Sequence, residues 1–281
     1  MILSGGQDMY RHWYQRNHQF WIFPDIFPAI VKAAFTFRLG GVSHPPFESL
    51  NMGLHVSDSP DHVVENRRLV AQRFGIPLEK FVFAEQVHGH RVEVVGAKDA
   101  GSGAFGQDTA VTGADALVTA EKDLALAILV ADCVPVLLFD PISGVIAAVH
   151  SGWKGTAEQI VQCTLAVMQQ HFATQAQQVY AVLGPSIRRC CYEVDERVRN
   201  AFSPTFPDTI FSPSQRPGHY MLSLQHAIRY SLLKYGVRAE RIQDTGVCTA
   251  CRTDVLFSYR AERGQTGRML AAIAIQSAQS S

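Results

Sequence analysis

The stretch whose reading decides the fold is LALAILVADCVPVLLFDPISGVIAAVH, Leu124 to His150. It contains three short apolar runs, Leu124–Val130, Val134–Phe139 and Val145–Val149, with β-branched residues and lengths that suit strands. Between the second and third, Asp140-Pro141-Ile142-Ser143-Gly144 supplies turn chemistry, which predicts a hairpin. Runs that are apolar almost without alternation belong to sheets covered on both faces, by helices or by another sheet. The hairpin also has a chemical consequence. Cys133 begins one strand and His150 follows its partner, so the turn brings both residues to one sheet edge.

Working outward, further strand signals lie at Phe81–Phe83, Val92–Val95, Tyr180–Leu183, Val255–Tyr259 and Met269–Ile275. Ser59-Pro60 opens a helix that runs through Val63, Val64, Val70 and Phe74 to a closing Gly75. A second helix is expected from Thr156, with Gln159 completing a capping box and Val161, Leu165, Met168 and Phe172 at helical spacing. A third runs from Ser223 to Gly236, with Leu224, Ile228, Leu232 and Tyr235 on one face, and shorter helical material is expected around Asp195 to Phe202. The chain is therefore mixed α and β.

Composition narrows the function. The 281 residues are 47% apolar and 18% charged, a globular balance rather than a disordered one. Lys and Arg number 25 against 25 Asp and Glu, so there is no basic footprint for nucleic acid or for anionic lipid. The longest apolar stretch, Leu124 to Phe139, is interrupted by Asp132 and Pro135 and is too short to cross a membrane. The first residues, Met1-Ile2-Leu3-Ser4, start no basic-then-apolar leader, so a cytoplasmic protein with reduced thiols is expected. No composition shift marks a boundary. One domain spanning 1–281 is expected, with the first ~25 residues peripheral and two long loops, Gly101–Gly113 and Ser203–Gly218.

Three segments put metal-type ligands at strand ends beside glycine turns: Gln86-Val87-His88-Gly89-His90, Ala131-Asp132-Cys133, and Val149-His150-Ser151-Gly152. One thiolate and two imidazoles suit zinc, and three protein ligands leave a fourth position open, as catalytic zinc requires. Asp132 stands where it could orient a ligand. Taken one at a time, each of the three reads more readily as a buried core residue than as a ligand; it is the three together, at strand ends beside glycine turns, that raise the metal reading. Cys133 with His150 also reads as a metal-free nucleophile and base, given a third group to orient the imidazole. Copper fits less well: His88-Gly89-His90 is the only HxH pair, and no methionine follows Cys133 closely enough for a blue-copper site. Cys248-Thr249-Ala250-Cys251 is a CxxC without a second CxxC, and Cys190-Cys191 is a vicinal pair. Zinc-ribbon spacing is thus missing, and these four read as structural or redox-inert.

Loop residues complete the candidates. Arg38 precedes Gly40-Gly41, where backbone amides can approach an anion. Asn51 lies in Asn51-Met52-Gly53-Leu54-His55, Lys154 precedes a helix start, and Arg260 ends Ser258-Tyr259-Arg260. A helix start and a cation together favour phosphate. Neither GxGxxG nor a P-loop is present.

Taken in order, FRLGGVS (Phe37–Ser43), LNMGLHVSD (Leu50–Asp58), EQVHG (Glu85–Gly89), ADALVT (Ala114–Thr119), ADCVPVLLFD, AAVHSGWKGT, GPSIRRCCYEV (Gly184–Val194), CTAC and FSYR followed by TGRM resemble the laccase-domain family of YfiH and YlmD type, formerly called multicopper polyphenol oxidases. The resemblance covers Arg38 to Met269. It implies an α+β fold, a layered α/β/β/α sandwich with mixed sheets. It also implies zinc held by His88, Cys133 and His150, these being the catalytic residues as well. The implied activity is phosphorolysis of adenosine, inosine and methylthioadenosine to base and sugar 1-phosphate, with adenosine deamination beside it. Copper-dependent oxidation of polyphenols is the older alternative. Its implied partners are a purine nucleoside and phosphate, with neither nucleic acid nor membrane, in a monomer or weak homodimer. Where AVHAGWRG is usual in the family, this chain has Ser151 and Lys154, and Arg188-Arg189 replaces smaller residues before the cysteine pair. Both changes bear on substrate preference, because lysine cannot grip an anion bidentately as arginine does.

Overall fold

Two sheets packed face to face carry the core in a computed structural model that describes residues 20–22, 26–203 and 205–277. The five-stranded sheet holds β1 (Phe20–Ile22), β2 (Val31–Thr36), β3 (Phe81–Phe83), β6 (Ala125–Val130) and β14 (Met269–Ile275), in the order β1-β2-β14-β6-β3. The six-stranded sheet holds β4 (Val92–Val94), β5 (Ala116–Thr119), β7 (Val134–Asp140), β8 (Val145–Ser151), β9 (Tyr180–Leu183) and β13 (Ile242–Asp244), in the order β13-β9-β7-β8-β5-β4. A small antiparallel sheet of β10 (Glu193–Asp195), β11 (Phe211–Pro213) and β12 (His219–Leu222) lies outside them. Both large sheets are mixed, with β3 parallel to β6, β4 to β5 and β13 to β9.

The unbroken apolar runs explain the layering. Along β6, Leu126, Ile128 and Val130 enter the core between the sheets, while Ala125, Ala127 and Leu129 face the opposite way. Along β7 and β8, Leu137, Phe139, Ile146 and Ala148 meet them from the other sheet, and Val136, Leu138, Ala147 and Val149 face outward. Every position is thus buried on one face or the other. Helix α1 (Pro60–Phe74) covers the outer face of the five-stranded sheet with Val70, Ala71 and Phe74. Helices α2 (Trp153–Ala157), α3 (Ile160–Phe172), α4 (Glu196–Phe202) and α5 (Leu224–Tyr235) lie on the side of the other sheet. From α3 and α5, Ile160, Val161, Leu165, Ile228 and Leu232 pack on its outer face. Each large aliphatic side chain so buried contributes about 1.5–3 kcal/mol. The result is the α/β/β/α sandwich that the sequence led us to expect.

The hairpin register runs from Val134↔Ser151 to Asp140↔Val145. Its turn is closed by Asp140, whose carboxylate accepts from the Ile142 N–H and the Ser143 hydroxyl, while Gly144 takes a left-handed φ of 65°. Helix α1 has Ser59 at its start and a left-handed Gly75 at its end, as its punctuation predicts. Asp195 and Ser223 cap α4 and α5 by accepting the N–H of Val198 and His226.

Three local expectations change. The helix expected from Thr156 is two helices, because Gln159 turns left-handed at φ 63° between them. Thr156 lies inside the first, and its hydroxyl donates back to the Gly152 carbonyl at 2.7 Å. Val255–Tyr259 is not a strand. Val255, Leu256 and Phe257 are apolar because they plug the inter-sheet core from a turn, with the Val255 and Leu256 amides bonded to the Arg252 carbonyl. Within the expected loop Ser203–Gly218, residues 211–213 pair with β12 as a strand. The residues expected to be peripheral fall largely outside the described ones, which omit 1–19 and 23–25. No described helix is long and apolar enough to cross a membrane.

Candidate metal centre and active site

The chain crosses from one sheet to the other between β6 and β7, through Ala131-Asp132-Cys133. Asp132 is left-handed at φ 86°, a costly conformation for a residue with a side chain, held here by several bonds. Its carboxylate accepts from the Thr249 hydroxyl (2.5 Å), the Ser258 hydroxyl (2.8 Å) and the Arg260 amide (2.6 Å), and its carbonyl accepts from the Ile187 amide. These bonds fix the backbone from which Cys133 projects. Asp132 is thus pinned by four bonds immediately before Cys133.

His88 follows β3 and is also left-handed, at φ 60°. Gln86 anchors this loop by exchanging two hydrogen bonds with the Leu129 backbone. Asp115, wholly buried just before β5, holds the rest. Its carboxylate accepts the amides of Val87 (3.2 Å), His88 (3.0 Å) and Gly89 (2.7 Å) and meets His150 Nδ1 at 2.7 Å. The His150 amide donates to the Asp115 carbonyl as well, extending the β5–β8 pairing by one residue.

His88, Cys133 and His150 thus converge, each offering a ligand atom within 4.8 Å of the others. The two rings lie edge to face with centroids 4.7 Å apart. His150 is buried, Cys133 half-buried and His88 exposed, so the group is open to solvent on the His88 side. A Cβ on Gly152 would stand 3.0 Å from Cys133 Sγ and 3.3 Å from His88 Cδ2, so any larger residue here would crowd both side chains. The donor set fits a metal ion. With Nδ1 of His150 bonded to Asp115, its other nitrogen would be the one to meet an ion, an arrangement usual for ligating histidines.

Electrostatics tie the three together. Burial pushes the Cys133 thiol up, but the adjacent His150 and His88 imidazoles outweigh it and bring it down to about 6. Burial opposes charge on His150, yet the Cys133 thiolate and Asp115 raise it to about 9. The Asp115 carboxyl is lowered, because the bonds to His150, Gly89 and Val87 exceed the cost of its burial.

Among the remaining candidates, Arg38 and Asn51 are engaged in holding loops, whereas Lys154 and Arg260 are exposed. The Arg38 guanidinium pairs with Glu262 at 2.8 Å, donates to the Thr253 and Glu48 carbonyls and lies over the Phe257 ring. Asn51 is wholly buried. Its side chain joins Gly53, Asp58 and the Arg268 amide. Lys154 is exposed on α2, and Arg260 is exposed above the Tyr192 ring and donates to the Glu193 carbonyl. His90 turns to Glu158, at 2.9 Å. The added cations Arg188 and Arg189 are bound to Asp244 and to the Thr209 carbonyl.

Sequence reasoning missed Asp115, His55 and Arg268. Desolvation and the nearby Arg268, Arg67, His150 and His88 lower His55 to about 4, which leaves a neutral imidazole beside the centre at ordinary pH. Arg268, half-buried, lies over the Tyr259 ring, and the Cys133 and Asp132 charges act on it. ADALVT, LNMGLHVSD and TGRM contained all three, yet nothing in their spacing points at the thiol.

The family model described as "Multi-copper polyphenol oxidoreductase laccase" matches residues 32–276. "Purine nucleoside phosphorylase YlmD" of Bacillus subtilis (strain 168) is 39% identical over 250 residues, covering 88% of this chain and 90% of that protein. The protein of the same name from Geobacillus stearothermophilus is 42% identical over 243 residues, covering 86% and 89%. Among solved structures, the Bacillus licheniformis hypothetical protein YfiH superposes with a TM-score of 0.89 at 37% identity, covering 93% of this chain and 98% of that one. A chain with this sandwich, this His-Cys-His group and these relatives belongs to the multi-copper polyphenol oxidoreductase laccase family.

Proposed function

We propose that this protein is a zinc-dependent purine nucleoside phosphorylase that also deaminates adenosine, acting on free nucleosides in the cytoplasm as a monomer or weak homodimer. The observation that carries the reading is the His88–Cys133–His150 group with Asp115 behind His150, in a chain whose relatives are named purine nucleoside phosphorylases. Zinc held there would supply Lewis acidity at an open coordination position. The chain's own residues do the rest. In phosphorolysis the C1′–N9 bond breaks, a phosphate oxygen bonds C1′, and the departing base takes a proton. Arg260 and Arg268 offer positive charge for the phosphate near Cys133, and Lys154 adds a cation just beyond Gly152. Arg38 and Asn51 act on substrate indirectly, by holding the loops that carry these groups. Burial pushes the Tyr192 phenol up, so it stays protonated as a donor beside Cys133. His55, neutral at pH 7, can accept or donate a hydrogen bond.

A second reading is favoured by one specific observation. Without metal, Cys133, His150 and Asp115 form a nucleophile, base and orienting carboxylate, the set that a cysteine hydrolase uses. Copper-dependent phenol oxidation is the third.

One experiment separates them. Adenosine and inosine are incubated with and without phosphate, using protein as purified, stripped of metal, and reloaded with zinc or copper. Base and sugar 1-phosphate appearing only with phosphate and zinc supports the phosphorylase. Base release without phosphate, or activity that survives stripping, overturns it. Turnover of phenols alone, restored by copper, transfers the activity to the oxidase reading.

A further inference from the structure

The cysteines that lack zinc-ribbon spacing in the sequence come together in space. Strands β9 and β13 are parallel neighbours, in register from Ala181↔Ile242 to Leu183↔Asp244, so the loops that follow them leave the sheet side by side. They stay paired beyond it: Ser186 bridges Cys248, the Ser186 amide donates to the Val247 carbonyl, and the Thr249 amide donates to the Ser186 carbonyl. One loop carries Cys190 and Cys191, the other Cys248 and Cys251. Their four sulfur atoms lie within 4.8 Å of one another, with Cys191 Sγ 3.3 Å and Cys190 Sγ 3.6 Å from Cys251 Sγ. All four are free thiols.

We infer that Cys190, Cys191, Cys248 and Cys251 form a second metal site, a closed tetrathiolate site for zinc, separate from the His88–Cys133–His150 group. A tetrahedron of sulfurs around one zinc at ~2.3 Å has edges of about 3.8 Å; the two separations to Cys251 Sγ, 3.3 and 3.6 Å, fall a few tenths below that edge, and all four sulfurs lie within 4.8 Å of one another. An iron–sulfur cluster spreads its thiolates around a core of several atoms, which four sulfurs this close do not enclose. The Arg188 and Cys251 amides hydrogen-bond the Cys248 sulfur, the support that buried thiolate ligands need. Binding exchanges four thiol protons for one dication. Four protein ligands leave no open position, so the site is structural.

Its task can be read from what the two loops hold. Thr249, inside the Cys248–Cys251 loop, donates its hydroxyl to Asp132, and the Ile187 amide on the other loop donates to the Asp132 carbonyl. Clamping the loops with one ion fixes both supports of the left-handed residue that precedes Cys133.

The test is metal content by mass spectrometry of protein purified in reductant without chelator. Cys133→Ala removes a ligand of the first group and none of the second, so this variant is expected to retain one zinc per chain. That zinc should be replaceable by cobalt(II), with the intense thiolate-to-cobalt charge-transfer band of a tetrathiolate site. Cys248→Ser with Cys251→Ser, introduced into the Cys133→Ala protein, should lose it. The inference is overturned if the folded Cys133→Ala protein holds no metal, or if its cobalt spectrum lacks thiolate bands. It is equally overturned if alkylation of the unfolded Cys133→Ala chain counts two fewer thiols in place of metal, which is a disulfide. The Cys133→Ala protein decides the matter even if the serine variants do not fold.

Discussion

Asp115 Oδ1 lies 2.7 Å from His150 Nδ1 in the protein interior, and the same carboxylate receives three consecutive amides of the His88 loop. One acid therefore sets the positions of two histidines that are far apart in sequence. Its burial is tolerable because every lone-pair direction in use is met by a donor.

Replacing it tests that dependence. Asp115→Asn keeps the shape but turns part of the acceptor into a donor facing amide N–H groups. Zinc affinity, measured by chelator competition, is expected to fall about 10–100-fold. Affinity unchanged from the parent would show that Asp115 orients neither histidine.

The Cys133–His150 pair predicts a division between reactivity and stability. With folded values of about 6 and about 9 against ordinary values of 9.0 and 6.5, the metal-free pair is thiolate and imidazolium from about pH 6 to 9. The depressed Cys133 value gives stability that is lost as pH falls through about 6. The raised His150 value gives stability that is lost as pH rises through about 9. Between 6.5 and 9 folded and unfolded pairs hold the same single proton, on different atoms, so linkage leaves stability level. Alkylation of Cys133 in metal-free protein should accordingly rise with a midpoint near pH 6, while urea midpoints stay flat from pH 7 to 8.5 on this pair's account. A midpoint near the ordinary thiol value refutes the pairing.

Gly152 is a steric test of the same centre. Its missing Cβ would press on Cys133 Sγ at 3.0 Å and His88 Cδ2 at 3.3 Å, and the ligands must give way by a few tenths of an ångström. Gly152→Ala should lower zinc affinity about tenfold with little change in Tm, because the crowding falls on the ligands and not on the core. Wild-type affinity in the folded variant counts against the geometry.

Arg67 predicts a stability effect away from the chemistry. Its guanidinium, 1% exposed, donates to the Met52, Gly103 and Ala104 carbonyls and lies over the Phe83 ring at 4.0 Å. It thereby ties the 101–113 loop to the segment leading to His55. Arg67→Met strands several buried carbonyls and should cost about 3–5 kcal/mol in urea unfolding. A loss below about 1 kcal/mol, the worth of one exposed ion pair, would mean water replaces the cation without penalty.

Much of this was legible in the chain itself. Unbroken apolar runs from Leu124 to Val149 dictated two-sided burial, and Asp140 to Gly144 dictated the hairpin that brings Cys133 and His150 to one edge. Those are local properties, set by side-chain hydrophobicity and turn chemistry over a few residues. Val255 to Phe257 misled for the same reason, since burial in a turn and burial in a strand demand the same apolar side chains. What the linear chain could not carry was register between distant strands. Asp115 reaches His150 only because β5 pairs with β8, and Cys190 reaches Cys251 only because β9 pairs with β13. Hydrogen-bonded strand pairing is non-local, and it alone decided which acid stands behind the ligands and that four scattered thiols share one place.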